Sequence, residues 1–265
     1  KKIGHTGTLD PDATGVLPVA LGKGTKLVDL LTDKEKTYEA VLHLGIDTDT
    51  QDMSGTVLEE RPVNVTEEEV RKVLKSFVGE QLQVPPMYSA LKVNGKKLYE
   101  LAREGKTVER KARPVCFYEI EPLEFHLPLV KIRVTCSKGT YIRTLCHDIG
   151  EKLGCGGCME ELLRSRVGRY SLFESHTLAQ VEAAVADGTV QDMIDPVEAV
   201  LAEYPALYAD SYGDRLLANG NPLSDNLVRP QHKEGWVRMY ASDGTFTGIF
   251  QWDAGKKKYY PVKMF

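Results

Sequence analysis

Residues 4–11 read GHTGTLDP, and Gly15 follows four residues later. This stretch places one carboxylate, Asp10, in a loop made mainly of small residues. Gly4, Gly7 and Gly15 allow backbone turns that a side chain would forbid. An Asp-Pro pair often does no more than start a turn. The loop therefore becomes a candidate site only where other segments supply partners for Asp10.

The composition is that of an ordinary globular protein, with 42% hydrophobic and 27% charged residues among 265. No apolar run approaches the roughly 20 residues of a membrane span, so we expect no membrane association. An odd number of cysteines, five, argues against a disulfide framework and favours a reducing, cytoplasmic location. Cys155 and Cys158 have the spacing of half a zinc site or of a redox pair. A zinc site needs a second pair of ligands, and the nearest candidates are only Cys146 and His147. We expect no metal.

The net charge of −4 conceals a strongly uneven distribution. Basic residues concentrate in two segments, which hold Lys92, Lys96, Lys97, Arg103, Lys106, Arg110, Lys111 and Arg113, and then Lys131, Arg133, Lys138, Arg143, Lys152, Arg164, Arg166 and Arg169. Between residues 182 and 234, ten acids outnumber three bases. This asymmetry suits a polyanion-binding surface, although solvated faces explain the composition equally well.

Periodicity and capping signals predict an α+β protein. We predict strands at 37–44 and 130–136, and helices at 25–31, 98–103, 140–153, 159–164, 178–186 and 196–201. A capping box of Thr66 and Glu69 predicts another helix. Beyond residue 203, a helix at 211–219 and strands at 236–241, 246–252 and 258–262 indicate a small β-rich appendage. We therefore expect a main domain over 1–202 and a second over 203–265, with a charged excursion at 85–114.

Three segments together resemble one family. They are the Asp10 loop, the strand beginning Lys36-Thr37-Tyr38, and CSKGTYIR at 136–143, supported by residues 159–168. Across essentially the whole chain these motifs resemble the TruB family of tRNA pseudouridine synthases. The resemblance implies isomerisation of uridine 55 in the tRNA T loop to pseudouridine, without metal or cofactor. It also implies a mixed, mainly antiparallel central sheet with flanking helices, followed by a PUA-like RNA-binding domain.

The resemblance assigns roles to individual residues. It makes Asp10, Tyr38 and Arg143 catalytic, and places Tyr38 and Tyr141 against the target base with Leu162 in the apolar wall. His5 would contact the RNA loop. The 85–114 excursion resembles an RNA-clamping thumb, which we expect to be mobile without RNA, and Lys92, Lys96 and Lys97 would meet phosphates.

The chemistry explains these residue types. The reaction breaks the N1–C1′ bond of uridine, rotates the base and rejoins it through C5, after the base is flipped out of its stack. Asp10 would act as nucleophile or as a proton acceptor leading to a glycal, and both routes stay open. Arg143 as a bidentate partner would orient Asp10 and favour its ionised form. Tyr38 offers a stacking ring and a hydroxyl near the C5 proton, and an apolar wall at Leu162 would exclude water.

The partner implied is a tRNA T-arm, bound by a monomer that needs no protein partner. Two alternatives remain: a pseudouridine synthase guided by an RNA within a particle, and an RNA-binding chaperone that folds tRNA. Family members carry a segment before GHTG, whereas this sequence begins three residues before Gly4. We therefore expect that an N-terminal segment is missing.

Overall fold

The computed structural model describes residues 2–93 and 95–265. The chain forms two compact units: a larger unit of His5–Pro18 and Leu30–Ser175, and a C-terminal unit of the chain up to Gly4, Val19–Asp29 and His176–Phe265. The α-helices are α1 (Val28–Thr32), α2 (Glu67–Phe77), α3 (Leu98–Arg103), α4 (Ile142–Leu153), α5 (Leu178–Asp187), α6 (Val197–Val200) and α7 (Ser211–Ala218). Short 3-10 helices occupy Gly22–Leu27, Leu172–Glu174, Val190–Met193 and Asp225–Leu227.

A seven-stranded sheet organises the larger unit. Its strands are β1 (Thr14–Gly15), β2 (Lys36–Leu44), β3 (Gly79–Gln83), β4 (Arg113–His126), β5 (Leu129–Cys136), β6 (Gly157–Val167) and β7 (Tyr170–Ser171). They lie in the order β7-β6-β2-β5-β4-β3, and β1 adds to β6. The β1–β6 pair is parallel and the other pairs are antiparallel. The predicted α+β class and mainly antiparallel sheet are confirmed.

Alternation along β2 explains how the sheet covers the core. Tyr38, Ala40, Leu42 and Leu44 are buried in one cluster, as the spacing predicts, and β5 contributes its own alternate residues. The capping box of Thr66 and the residue three positions later is present at the start of α2. Helix α4 contributes Ile142, Leu145 and Ile149 to the same core. The core thus lies between the sheet and helices α2 and α4.

The predicted helix at 159–164 is wrong, because these residues belong to strand β6. Two register irregularities interrupt the pairing of β6 with β2, one between Met159 and Glu161 and one between Arg164 and Arg166. Each bulge adds a residue and breaks the strict alternation of a strand. The apolar residues consequently recur at three- and four-residue steps, which imitates a helical period.

A six-stranded sheet forms the C-terminal unit together with α7. Its strands are β8 (Ala206–Ala209), β9 (Leu223–Ser224), β10 (Val228–Arg229), β11 (Trp236–Tyr240), β12 (Phe246–Asp253) and β13 (Lys258–Met264), in the order β9-β13-β12-β11-β8-β10. The three longest follow the predicted strands closely, so the β-rich character is confirmed. The PUA-like assignment and the 202/203 boundary stay predictions.

Three two-stranded sheets complete the secondary structure of residues 2–93 and 95–265. They join Ile3–His5 with Val19–Leu21, Ile46–Thr48 with Val57–Glu60, and Lys92–Val93 with Lys96–Lys97. The five cysteines are free thiols, and Cys155 and Cys158 are both buried. Among the helices of the described residues, none is long and apolar enough to cross a membrane.

Candidate active site

The loop that carries Asp10, residues 4–15 (the glycine loop), is hydrogen-bonded to strand β6 through one buried arginine. The Arg164 guanidinium donates from Nε to the Val16 carbonyl at 2.7 Å and from Nη2 to the Gly7 carbonyl at 3.1 Å. The Val16 amide donates back to the Arg164 carbonyl at 2.8 Å. Gly15 adopts φ +114, and a Cβ there would lie 2.2 Å from that carbonyl oxygen. Arg164 thus binds the chain on both sides of Asp10, at Gly7 and at Val16. Sequence reasoning did not predict this anchoring role.

Asp10 shares its arginine with a second carboxylate. Arg143, buried in the first turn of α4, donates from Nη2 to Asp10 Oδ1 at 2.7 Å and from Nη1 to Asp52 Oδ2 at 3.3 Å. The expected bidentate pair between Arg143 and Asp10 is therefore wrong: each carboxylate receives one arm of the guanidinium. Sequence reasoning missed Asp52. The acidic run at residues 47–52, directly after a strongly alternating strand, is the signal that could have pointed to it.

Burial dominates the electrostatics of Asp10. Desolvation raises the pKa of the Asp10 carboxyl above its ordinary value of 3.8, and the nearby charges of Asp52 and Asp12 add to the rise. Arg143 lowers this pKa, as the sequence predicts, but it does not offset the burial. The net direction is thus opposite to the expected one, and Asp10 ionises less readily than a free aspartate.

A small pocket of about 110 Å³ brings together five residues that the sequence singled out: Asp10, Tyr38, Tyr141, Arg143 and Leu162. Tyr38 is buried on β2, and burial raises the pKa of its phenol to about 12. This phenol is therefore neutral at physiological pH. The pocket joins a carboxylate, a guanidinium, a neutral hydroxyl and an apolar wall, which are the groups expected around a flat polar base.

Gln83 fixes the backbone beside this pocket. Its side-chain amide donates from Nε2 to the Tyr141 carbonyl at 3.0 Å, and its Oε1 accepts from the Tyr141 amide at 2.8 Å. Gln83 ends strand β3 and is almost fully buried. These two hydrogen bonds hold Tyr141, the residue that precedes α4. They thereby fix the position of Tyr141 and of Arg143, two residues further on.

A wider cavity of about 850 Å³ shares Asp10, Tyr141, Arg143 and Leu162 with the small pocket. Part of its wall comes from the predicted thumb. Tyr99 lines this wall, and two cations lie near its ring: the Lys97 ammonium, 5.2 Å from the ring centre, and the Arg103 guanidinium, 5.4 Å away.

The remaining predicted RNA contacts lie outside both cavities as far as the described residues define them. Lys92 and Lys96 belong to the thumb hairpin, and Lys96 pairs with Glu104 at 3.4 Å. His5 is exposed, and its Nδ1 accepts a hydrogen bond from the Gly7 amide at 3.3 Å. Their roles, like those of the pocket residues, stay predictions.

Comparison with known proteins gives consistent matches over the chain. The profile of the TruB family pseudouridylate synthase N-terminal domain matches residues 1–142, and that of the tRNA pseudouridylate synthase B C-terminal domain matches residues 143–202. A tRNA pseudouridine synthase B from Lachnoclostridium phytofermentans is 50% identical, covering 100% of this chain and 91% of the relative. One from Clostridium tetani is 45% identical over 95% of this chain and 86% of its own.

Solved structures share the fold. A Cbf5–Nop10–Gar1 complex contains a chain that matches with a TM-score of 0.72 and 27% identity, over 100% of this chain and 76% of that one. An H/ACA RNP bound to a substrate RNA containing 2′-deoxyuridine matches with a TM-score of 0.71 and 26% identity, with the same coverage.

Proposed function

Because the chain belongs to the TruB family of pseudouridylate synthases, we propose that it isomerises uridine 55 of the tRNA T loop to pseudouridine, with Asp10 as the catalytic carboxylate. The observation that carries the proposal is the pocket in which Asp10 and Arg143 face Tyr38, Tyr141 and Leu162. The relatives named tRNA pseudouridine synthase B support tRNA as the substrate.

The Asp10–Arg143 geometry suits attack at the sugar. Among the described residues, Arg143 donates to one Asp10 oxygen, Oδ1, which leaves Oδ2 for the substrate. Binding of the sugar at Oδ2 would expel water and strengthen the attraction to Arg143. The carboxylate then adds to C1′ or removes the C2′ proton to give a glycal, and in both cases the N1–C1′ bond breaks.

The pocket wall handles the detached base. Tyr38 presents a ring for stacking and a hydroxyl that is protonated at neutral pH, because its pKa is raised to about 12. We propose that this hydroxyl donates a hydrogen bond to the rotating base. Once C5 has bonded to C1′, the hydroxyl gives its proton to N1 of the base and takes the C5 proton in its place. Leu162 and Tyr141 close the pocket, so that water is kept from the intermediate.

The RNA surface is the second part of the proposal. The thumb, residues 85–114, would clamp the T-arm, with Lys92, Lys96 and Lys97 on phosphates and His5 on the loop. Residues 203–265 would form the PUA-like RNA-binding domain. The protein would act in the cytoplasm as a monomer, without metal, cofactor or protein partner.

The test is turnover of a bare T-arm stem-loop transcript, scored for pseudouridine at each uridine. We expect modification at the position of uridine 55 alone. Asp10→Asn should abolish turnover while the dissociation constant for the T-arm stays within about threefold, since the base-stacking and phosphate contacts remain. Asp12→Asn removes a charge from the same loop and should retain turnover. Turnover by the Asp10 variant would refute the catalytic role.

The same assay separates the alternatives. An enzyme that works only in a guide-RNA particle would be inactive on the bare stem-loop until guide RNA and partners were added. A folding chaperone would bind the T-arm and speed tRNA folding equally well with Asn at position 10, and would leave the uridines unchanged. Site-specific turnover by the purified chain excludes both.

A further inference from the structure

One residue beside the active site has a backbone conformation that its side chain does not favour. Gln51 has φ +66, the left-handed region, in which a non-glycine residue is strained. Among the described non-glycine residues, the only other positive φ belongs to Lys257, in an exposed turn. Such strain persists only where the surrounding structure holds the residue in place.

Three elements hold Gln51. Its side-chain oxygen Oε1 accepts a hydrogen bond from the Thr144 hydroxyl at 2.7 Å, and Thr144 is buried on α4 next to Arg143. Its backbone amide donates to the Thr48 carbonyl at 3.2 Å, and its carbonyl accepts from the Met159 amide on β6 at 3.0 Å. Gln51 therefore ties its loop both to the helix that carries Arg143 and to the strand that carries Leu162.

The residue after Gln51 is Asp52, whose carboxylate receives the Nη1 arm of Arg143. Local contacts fix the other oxygen: Asp52 Oδ1 accepts from the Thr50 hydroxyl at 2.7 Å and from the Ser54 hydroxyl at 2.5 Å. These contacts orient Asp52 within its own loop, but they do not place the loop relative to α4. The Gln51–Thr144 bond does.

We propose that Gln51 is a positioning residue: its side chain, anchored by Thr144, maintains the left-handed bend that brings Asp52 to Arg143 and leaves the second guanidinium arm to Asp10. The inference rests on the proposed function, because it matters for turnover only if Asp10 is the catalytic carboxylate. Gln51 itself touches no reacting group. It acts through Asp52 and Arg143.

The matched variants are Thr144→Val and Thr144→Ser. Valine keeps the shape of threonine and removes the hydroxyl, whereas serine keeps the hydroxyl. We expect Thr144→Val to lower the single-turnover rate about tenfold, since misplacing a catalytic group by a fraction of an ångström has this effect. The dissociation constant for the T-arm should not change, and the Thr144→Ser variant should react at the parent's rate. Equal losses in both variants, or no loss in either, would overturn the proposal.

Gln51→Gly guards against the possibility that Thr144→Val merely unfolds the protein. Glycine accepts φ +66 without strain, which offsets part of the cost of leaving the buried Thr144 hydroxyl unpaired. Thermal unfolding should show that this variant is folded at the assay temperature. We expect its rate nevertheless to fall as in Thr144→Val, because the tether to α4 is lost. A stable Gln51→Gly variant with the parent's rate would show that Gln51 does not position Asp52.

A titration of RNA-free protein tests the coupling without turnover. The charged groups that face the Asp10 carboxyl are Arg143 on α4, Asp52 on its loop and Asp12 on the glycine loop, and the Tyr38 phenol on β2 faces it as well. If Thr144→Val moves the Asp52 carboxylate away from Arg143, one negative charge near Asp10 is removed. The Arg143 guanidinium then interacts more strongly with the Asp10 carboxylate. The Asp10 carboxyl, observed by carbon-13 NMR, should then titrate at lower pH.

A double variant completes the experiment. Asp52→Asn should move the Asp10 titration in the same direction, and adding Thr144→Val to it should change the titration no further. Additive shifts, or no shift in Thr144→Val, would overturn the positioning role. If the parent failed to modify the T-arm while the titrations behaved as described, only the proposed function would fail.

Discussion

Substituting Gly15 by alanine should test whether Arg164 holds the loop that carries Asp10. A Cβ at Gly15 would lie 2.2 Å from the Arg164 carbonyl oxygen and 2.7 Å from the Arg164 amide nitrogen, where ordinary contacts begin at 3.4 Å. Both atoms belong to the backbone of β6, so they cannot rotate away. The loop must therefore move by about 1 Å, a displacement that lowers catalytic rates by about a hundredfold.

Gly7 provides the matched control in the same loop. Its φ of +128 is as unfavourable for alanine as the +114 of Gly15, but a Cβ at Gly7 meets nothing within 4 Å. Both substitutions should therefore carry a similar strain of about 1–3 kcal/mol. Gly15→Ala should lose further stability, because moving the loop weakens the bonds that join Val16 to Arg164, at about 1–3 kcal/mol for each.

Two measurements are needed, urea unfolding and single-turnover pseudouridine formation on a saturating T-arm. We expect Gly7→Ala to be destabilised but to react within about tenfold of the parent. Gly15→Ala should be less stable than Gly7→Ala and slower by a further order of magnitude. Identical rates and unfolding free energies for the two variants would refute the reasoning, because the contact with β6 would then have no effect on the loop.

Further predictions concern the charged residues of the site. In Arg164→Lys, the lysine ammonium can reach the Val16 or the Gly7 carbonyl but not both, so the free energy of unfolding in urea should fall by about 1.5–3 kcal/mol. An unchanged unfolding midpoint would contradict the anchoring role. Asp52→Asn should slow single turnover about tenfold. It should also move the acid limb of the pH–rate profile to lower pH, because the charge of Asp52 raises the pKa of Asp10. An acid limb at higher pH would contradict that repulsion. Asp10→Asn should raise the unfolding free energy at neutral pH. The folded-state pKa of Asp10 lies above its ordinary 3.8, so the parent loses stability as the pH rises through that value. Urea unfolding at several pH values should show the advantage of the variant vanish toward pH 3.8, and a variant less stable at neutral pH would reverse the argument.

Local patterns predicted most of the secondary structure. The alternation along β2, the capping box of α2 and the three long C-terminal strands each depend on a few neighbouring residues, and each is present. Strand β6 has the local pattern of a helix because of its bulges, and pairing with β2 fixes those bulges. That pairing joins residues far apart in sequence, which no local window contains.

The same distinction applies to the candidate site. Asp10, Tyr38 and Arg143 follow from motifs, but the contacts of Arg164 with Gly7 and of Arg143 with Asp52 join residues 157 and 91 positions apart. Residue type alone does not disclose such partners. The division of one guanidinium between two carboxylates, and the rise in the pKa of Asp10 through burial, depend on how the elements pack.

Those two features have opposite effects on Asp10, and together they suit it to its proposed task. Burial without Arg143 would leave a carboxyl that is protonated too readily to attack or accept a proton. A fully bidentate Arg143 would stabilise the carboxylate so strongly that its reactivity would fall. With Asp52 occupying one arm, Arg143 supplies a single hydrogen bond to Asp10. We therefore expect the loop that carries Asp52 to tune the reactivity of Asp10 through the arginine that the two carboxylates share.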